Sequence, residues 1–224
     1  ICVRSDSDRS RRTRSICRSE GVVVKEYSVR DVEAVAAVLL AGGVVIIPTD
    51  TVYGIAARVA DADAVARLFA VKRRPSSVAL PVFVENLEGV VDAGGRLPVA
   101  AQTLAHAFWP GALTLVIPAL AAMAERIGST SGTIGFRLPD DAFVQELVAR
   151  TGPLAVTSAN EHGEPPMTAP GQIHSLLTSS DIDAWVDGGV RDGAVSTVVA
   201  CRDDGYEIVR VGALDSDTIA GAFR

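Results

Sequence analysis

Four short stretches of this 224-residue chain combine residue types that could handle an anion. The first is Lys72-x-Arg74. The chain writes 21 basic residues, yet only Lys25 and Lys72 are lysine. Arginine presents a planar fork for two-point contacts, whereas lysine presents a compact ammonium, so the pair offers two different tools to one anion. The second is Ser158-x-Asn160 in TSAN, after an apolar strand, where alternation puts both side chains on one side if the strand continues. The third is PTDT at 48–51, with hydroxyls on Thr49 and Thr51 and a carboxylate on Asp50. The fourth is Arg137 inside GFRLP, with Thr133 four residues earlier. Each has a plain structural alternative: a cation suited to a helix C-terminus at Lys72, a strand-to-turn signal at PTDT and TSAN, and a snorkelling side chain at Arg137.

The missing patterns narrow the chemistry. There is no GxxxxGK[ST], no GxGxxG after a strand, no GxSxG, no HExxH and no CxxC. P-loop, dinucleotide and nucleophile-elbow sites therefore have no support, and nothing in sequence suggests a zinc site. An enzyme built on these residues would align reactants and stabilise negative charge, without a protein nucleophile.

Regular elements must position these residues. Val22–Tyr27 alternates like a strand. Val32, Val35, Val38 and Leu39 then share a helix face that Gly42-Gly43 ends. VVIIP (44–48) reads as a buried strand and VYGIAARV as another. Asp61 opens a helix with Val65, Leu68 and Phe69 on one side, and Lys72 falls on its last turn. Residues 78–84 read as a strand at an edge or a bulge, because of Pro81. Helices are expected at 85–93, 98–108 and 140–150, and strands at 112–118, 133–139, 153–158, 183–189, 196–203 and 205–211. This alternation, with no repeat and no composition break after residue 20, predicts one α/β domain with a mixed sheet over 21–224.

Composition sets the remaining bounds. The chain is 48% apolar, but no apolar run reaches the roughly 18 residues of a membrane span. Three cysteines without paired spacing argue against a disulfide framework and for a reducing, cytoplasmic setting. Residues 1–20 carry six arginines against three acidic groups, a net +3, which leaves −9 for the rest of a −6 chain. This Ser/Arg-rich stretch is expected to be a disordered, dispensable tail, with a weak nucleic-acid arm as the alternative.

In order along the chain, PTDTVYGIAA, KRRP, FWPGALTLVI, TIGFRLPD, LAVTSANEHGEPP, DGG, STVV and IVRVG resemble the YrdC-like threonylcarbamoyl-AMP synthase family. The resemblance runs from about Gly21 to Gly212 and implies a YrdC-like domain, a twisted mixed sheet flanked by helices with a concave active-site cleft. It implies a nucleotidyltransferase that makes threonylcarbamoyl-adenylate and pyrophosphate from L-threonine, bicarbonate or CO2, and ATP with Mg2+. Transferase proteins would pass that product to adenosine 37 of tRNAs reading ANN codons. The family's KxR and SxN positions fall on Lys72, Arg74, Ser158 and Asn160, the catalytic set. Thr51, Arg137 and Ser196 would hold threonine, and Arg74, Thr133, Ser158 and Arg210 would hold ATP.

The chain departs from the pattern at Phe83 and Val78, where the family often has polar residues, and at Val195, where it often has Glu. The rivals are a carbamoyl-adenylate-forming relative and a tRNA- or double-stranded-RNA-binding module. The acidic body, with pI near 5.1, argues against the second.

Overall fold

The computed structural model describes residues 14–17, 23–72, 79–160, 164–178, 181–191 and 193–224. Arg74 and Val78 of the sequence reading lie outside these residues. The elements run β1 (Arg14–Cys17), β2 (Val23–Ser28), α1 (Val32–Leu40), β3 (Val45–Ile47), β4 (Gly54–Arg58), α2 (Ala62–Lys72) and β5 (Val82–Phe83). They continue with α3 (Leu87–Asp92), α4 (Val99–Phe108), β6 (Leu113–Pro118), α5 (Ala121–Arg126), β7 (Thr133–Arg137), α6 (Ala142–Thr151) and β8 (Leu154–Ser158). The last are α7 (Pro170–Ile173), a 3-10 turn (Leu176–Thr178), β9 (Ala184–Asp187), β10 (Thr197–Arg202), β11 (Gly205–Arg210) and α8 (Ser216–Gly221). All described strands join one mixed sheet in the order β1-β2-β9-β3-β4-β8-β5-β7-β6-β10-β11.

The predicted alternation of strands and helices therefore holds, and local chemistry explains several boundaries. Helix α1 ends in a Schellman motif: Gly43 N donates to Val38 O (2.9 Å) and Gly42 N to Leu39 O (3.0 Å), with Gly42 at φ 82°. Asp61 accepts from Ala64 N at 2.9 Å and opens α2. Asp141 does the same for α6 through Val144 N at 3.1 Å. Helices α5, α7 and α8 were not anticipated. At six, four and six residues they are too short for a helical repeat to show.

Two expectations need correction. Strand β5 has two residues, not seven, and is interior, between β8 and β7. Pro81 is tolerated beside it because its carbonyl accepts from Val156 N (2.9 Å), and so few residues pair that its missing N–H is not needed. Arg14–Cys17, expected in a disordered tail, pair antiparallel with β2, Arg14 opposite Glu26 and Cys17 opposite Val23. An open sheet edge offers unpaired backbone donors and acceptors whatever the composition of the segment that lies against it.

The apolar residues sort onto the two sheet faces by strand alternation. Val44 and Ile46 belong to one buried cluster, with Leu68 of α2 and Leu104 of α4, while Val45 and Ile47 belong to the other, with Leu39 of α1 and Leu147 of α6. On β6 and β7 only the first face is apolar: Leu113, Leu115, Ile117, Ile134 and Phe136 join the α2/α4 side. The opposite face of those strands carries Thr114, Val116, Thr133, Gly135 and Arg137, and these line a cavity. The cleft is thus the continuation of the α1/α6 face, over strands whose exposed pattern is polar.

Candidate active site

That cavity encloses about 370 Å3 and is open to solvent. Its lining includes Thr49, Thr51, Phe83, Thr114, Ser131, Thr133, Arg137, Ser158, Ser196 and Arg210. Six of these, contributed by the 48–51 turn, β7, β8, β10's approach and β11, are sequence-predicted site residues: Thr51, Thr133, Arg137, Ser158, Ser196 and Arg210. Gly135 keeps the floor low, since a Cβ there would stand 3.1 Å from Thr114 Cγ2.

Arg137 is 4% exposed, so it does not snorkel. Nε donates to Gly111 O (3.0 Å), Nη1 to Thr51 Oγ1 (3.1 Å) and Nη2 to Asp50 Oδ1 (2.6 Å). Its guanidinium carbon lies 5.7 Å from the centroid of the Phe83 ring, a cation–π contact that an apolar residue supplies here. Burial pushes the Arg137 pKa down; the Asp50 charge and hydrogen bond oppose that, and nearby Arg210 adds to the depression. A guanidinium has five N–H donors, so three bonds leave two, both on the terminal nitrogens. Bound this way, Arg137 can still accept a carboxylate.

Ser196, buried on the approach to β10, shares a 2.9 Å hydrogen bond with Thr114 Oγ1. Arg210 Nη2 donates to Ser196 O at 2.8 Å, which draws the second arginine into the same cleft. Thr133 shares a 2.7 Å hydrogen bond with Ser131, which lies 3.3 Å from Ser129 Oγ. Thr114 and Ser131 were missed in the sequence. The signal for Thr114 was a hydroxyl inside LTLVIP on the alternate face; only the parallel pairing of β6 with β10 puts it beside Ser196.

Lys72 ends α2 as predicted, but it is 6% exposed, and its ammonium meets a segment remote in the chain. Nζ donates to Ser158 O (2.9 Å), to Asn160 O (3.0 Å) and, in a very short contact, to Asn160 Oδ1. Ser158 Oγ donates to the same Oδ1 at 2.7 Å. The structure thus joins Lys72, Ser158 and Asn160. Thr49 serves the backbone, donating to Val52 O at 2.7 Å, so PTDT is a turn that also puts Thr49 and Thr51 in the cavity wall.

A second, partly buried network includes Tyr53 of the cleft lining. Arg191 pairs with Asp141 at 3.2 Å, and Tyr53 Oη donates to Gly189 O (2.8 Å) while accepting from Gly188 N (3.0 Å). Gly193 N donates to Thr51 O at 3.1 Å, so Gly193 is tied to the turn that holds Thr51. Among the described residues no cluster of three or more His, Cys, Asp or Glu is placed to hold a metal ion, and no helix is long and apolar enough to cross a membrane.

The domain is α/β with one mixed sheet, and its open polar face carries two arginines, Arg137 and Arg210, among hydroxyls, a lining chemically suited to a small anion. The model of the Sua5/YciO/YrdC family, described as "Telomere recombination", matches residues 37–212, and the chain belongs to that family. A Bacillus subtilis (strain 168) relative named threonylcarbamoyl-AMP synthase is 36% identical over 203 residues, 88% of this chain and 58% of its own length. The chain therefore spans less than two thirds of that relative. A Mycobacterium tuberculosis homologue is 34% identical over 199 residues, 87% of this chain and 90% of its own. The crystal structure of Pyrococcus abyssi Sua5 complexed with L-threonine superposes with a TM-score of 0.79 at 29% identity, covering 88% of this chain and 59% of the other.

Proposed function

We propose that the protein forms threonylcarbamoyl-adenylate and pyrophosphate from L-threonine, bicarbonate or CO2, and ATP. The observation that carries the reading is Arg137: a buried guanidinium, fixed at three nitrogens with two N–H groups uncommitted, in the wall of a cavity that Thr51 and Ser196 also line. That arrangement suits an amino-acid carboxylate, because paired N–H donors match two carboxylate oxygens. The likeness to a threonine-bound relative supports the choice of amino acid.

In this reading Arg137 holds the threonine carboxylate, with Thr51 and Ser196 completing the subsite. The substrate amine combines with CO2, releasing a proton, or with bicarbonate, releasing water, to give a carbamate; the carbamate oxygen attacks the α-phosphorus of ATP, the α–β phosphoanhydride bond breaks and pyrophosphate leaves. The protein aligns the attacking and leaving oxygens and offsets the negative charge gathering on the phosphate, so the reaction requires no protein nucleophile. Thr133, Ser158 and Arg210 take the nucleotide, together with Arg74. Lys72 and Asn160 join this set through their bonds to Ser158. No carboxylate is among the described lining residues, and hydroxyls with arginines fit a Mg2+ carried by the nucleotide phosphates better than one held by protein. When bound, that ion neutralises phosphate charge. The adenylate then supplies a transferase acting on tRNA.

The test is mass-spectrometric detection of threonylcarbamoyl-AMP by the purified protein, beside pyrophosphate release that depends on both threonine and bicarbonate. Pyrophosphate release that ignores threonine, or that requires carbamoyl phosphate, overturns the assignment.

A further inference from the structure

We propose that Lys72 is a positioning residue, which acts on the reaction only through the Ser158–Asn160 turn. The proposal rests on the assignment of the cleft to adenylate synthesis, and it gives Lys72 a different part from direct contact with the phosphates. Three oxygens of one turn converge on Nζ: Ser158 O, Asn160 O and Asn160 Oδ1. An ammonium has three N–H groups in tetrahedral array, so these acceptors match its donors one for one. Among the described residues Ser158 belongs to the cavity lining, and Lys72 and Asn160 do not.

The turn needs such a partner. Two backbone bonds hold its middle: Ala159 N donates to Tyr53 O (2.7 Å), and Met167 N donates to Ala159 O (2.8 Å). The carbonyls on either side of Ala159 point at the end of α2, and Lys72 ties both. It also fixes the Asn160 amide, whose Oδ1 accepts from Ser158 Oγ at 2.7 Å and whose Nδ2 donates to Glu164 O at 2.6 Å. One charge therefore sets the rotamer of Asn160, and Asn160 in turn orients the hydroxyl that faces the cleft.

The residue type follows from this geometry. A guanidinium spreads its donors in a plane over three nitrogens and cannot direct three N–H groups from one atom onto this three-residue turn. This explains a lysine in a chain that otherwise writes positive charge almost entirely as arginine.

The experiment compares wild type with Lys72→Gln, Lys72→Arg, Asn160→Ala and the double variant Lys72→Gln/Asn160→Ala. Two readouts are kept separate: synthase kcat and KM for each substrate, and hydrogen exchange at the amides of Ala159 and Met167. Each single variant should lose roughly ten- to a thousandfold in kcat, the scale of a misplaced donor, with KM for threonine within about twofold. Lys72→Arg should not rescue. The double variant should be no slower than the slower single, and both amides should exchange faster in every Lys72 variant. A double loss equal to the product of the two single losses overturns the proposal. So does a slow Lys72→Gln enzyme whose amides exchange at the wild-type rate. Should wild type make no threonylcarbamoyl-AMP, the functional assignment falls, while the exchange readout still tests the tie between Lys72 and the turn.

Discussion

Three nitrogens of Arg137 are tied to three separate acceptors, and only one of them, Asp50, carries charge. With side-chain exposures of 5% and 12%, this pair is nearly removed from water. Removing one partner of such a pair strands the other, so Asp50→Ala should cost about 3–5 kcal/mol of stability, read from denaturant midpoints at unchanged slope. A loss below about 1 kcal/mol would mean the guanidinium finds another partner. Arg137→Ala addresses function: it should raise KM for threonine by far more than KM for ATP, on the order of 2–5 kcal/mol in binding. Equal effects on both substrates would remove Arg137 from the carboxylate subsite. Cys201, 1% exposed on β10, has its thiol pushed up to about 11 by burial. The native protein should therefore resist alkylation at this thiol at pH 8 and react once unfolded. Because the folded state keeps the proton, this thiol's contribution to stability is present below the unfolded value near 8.5 and falls as pH rises from there towards 11.

At the level of elements, α2 carries Lys72 to its place. The helix is anchored by Ala64, Val65 and Leu68, all buried against the sheet and spaced so that Lys72 continues the same face. Leu68→Ala should cost roughly 2–5 kcal/mol, as for other fully buried leucines. If α2 shifts into the space left, kcat should fall as well, even though Leu68 touches no substrate. Stability lost with full kcat retained would show that Lys72 holds its position without the packing beneath it. Strands β3, β6, β7 and β8 were legible as short, mostly apolar runs bounded by Gly, Pro and polar turn residues. The two-residue β5 was not, since Pro81 and the apolar run around it fit a longer strand equally well. The short α5, α7 and α8 give too few turns for a periodic signal.

At the level of the molecule, β1 is an end strand whose described pairing is with β2 alone. A truncation beginning at Gly21 should therefore keep its synthase rate, and its melting temperature should fall by only a few degrees, the equivalent of about 1 kcal/mol. A rate loss above roughly tenfold would show that the first 20 residues serve the reaction.

From sequence alone came the fold class, since alternation of strand and helix patterns is local, and the motif residues, since their types and order are written in the chain. Thr51, Thr133, Arg137, Ser158, Ser196 and Arg210 are all found around one cleft. What each residue faces was decided only by tertiary structure. Asp50 in PTDT reads as a turn residue until β7 brings Arg137 within 2.6 Å of it. Lys72 reads as a helix-end cation until the turn after β8, 86 residues away, closes on its ammonium. Hydrogen-bond partners and burial depend on distances between segments remote in the chain, and no local pattern encodes those distances.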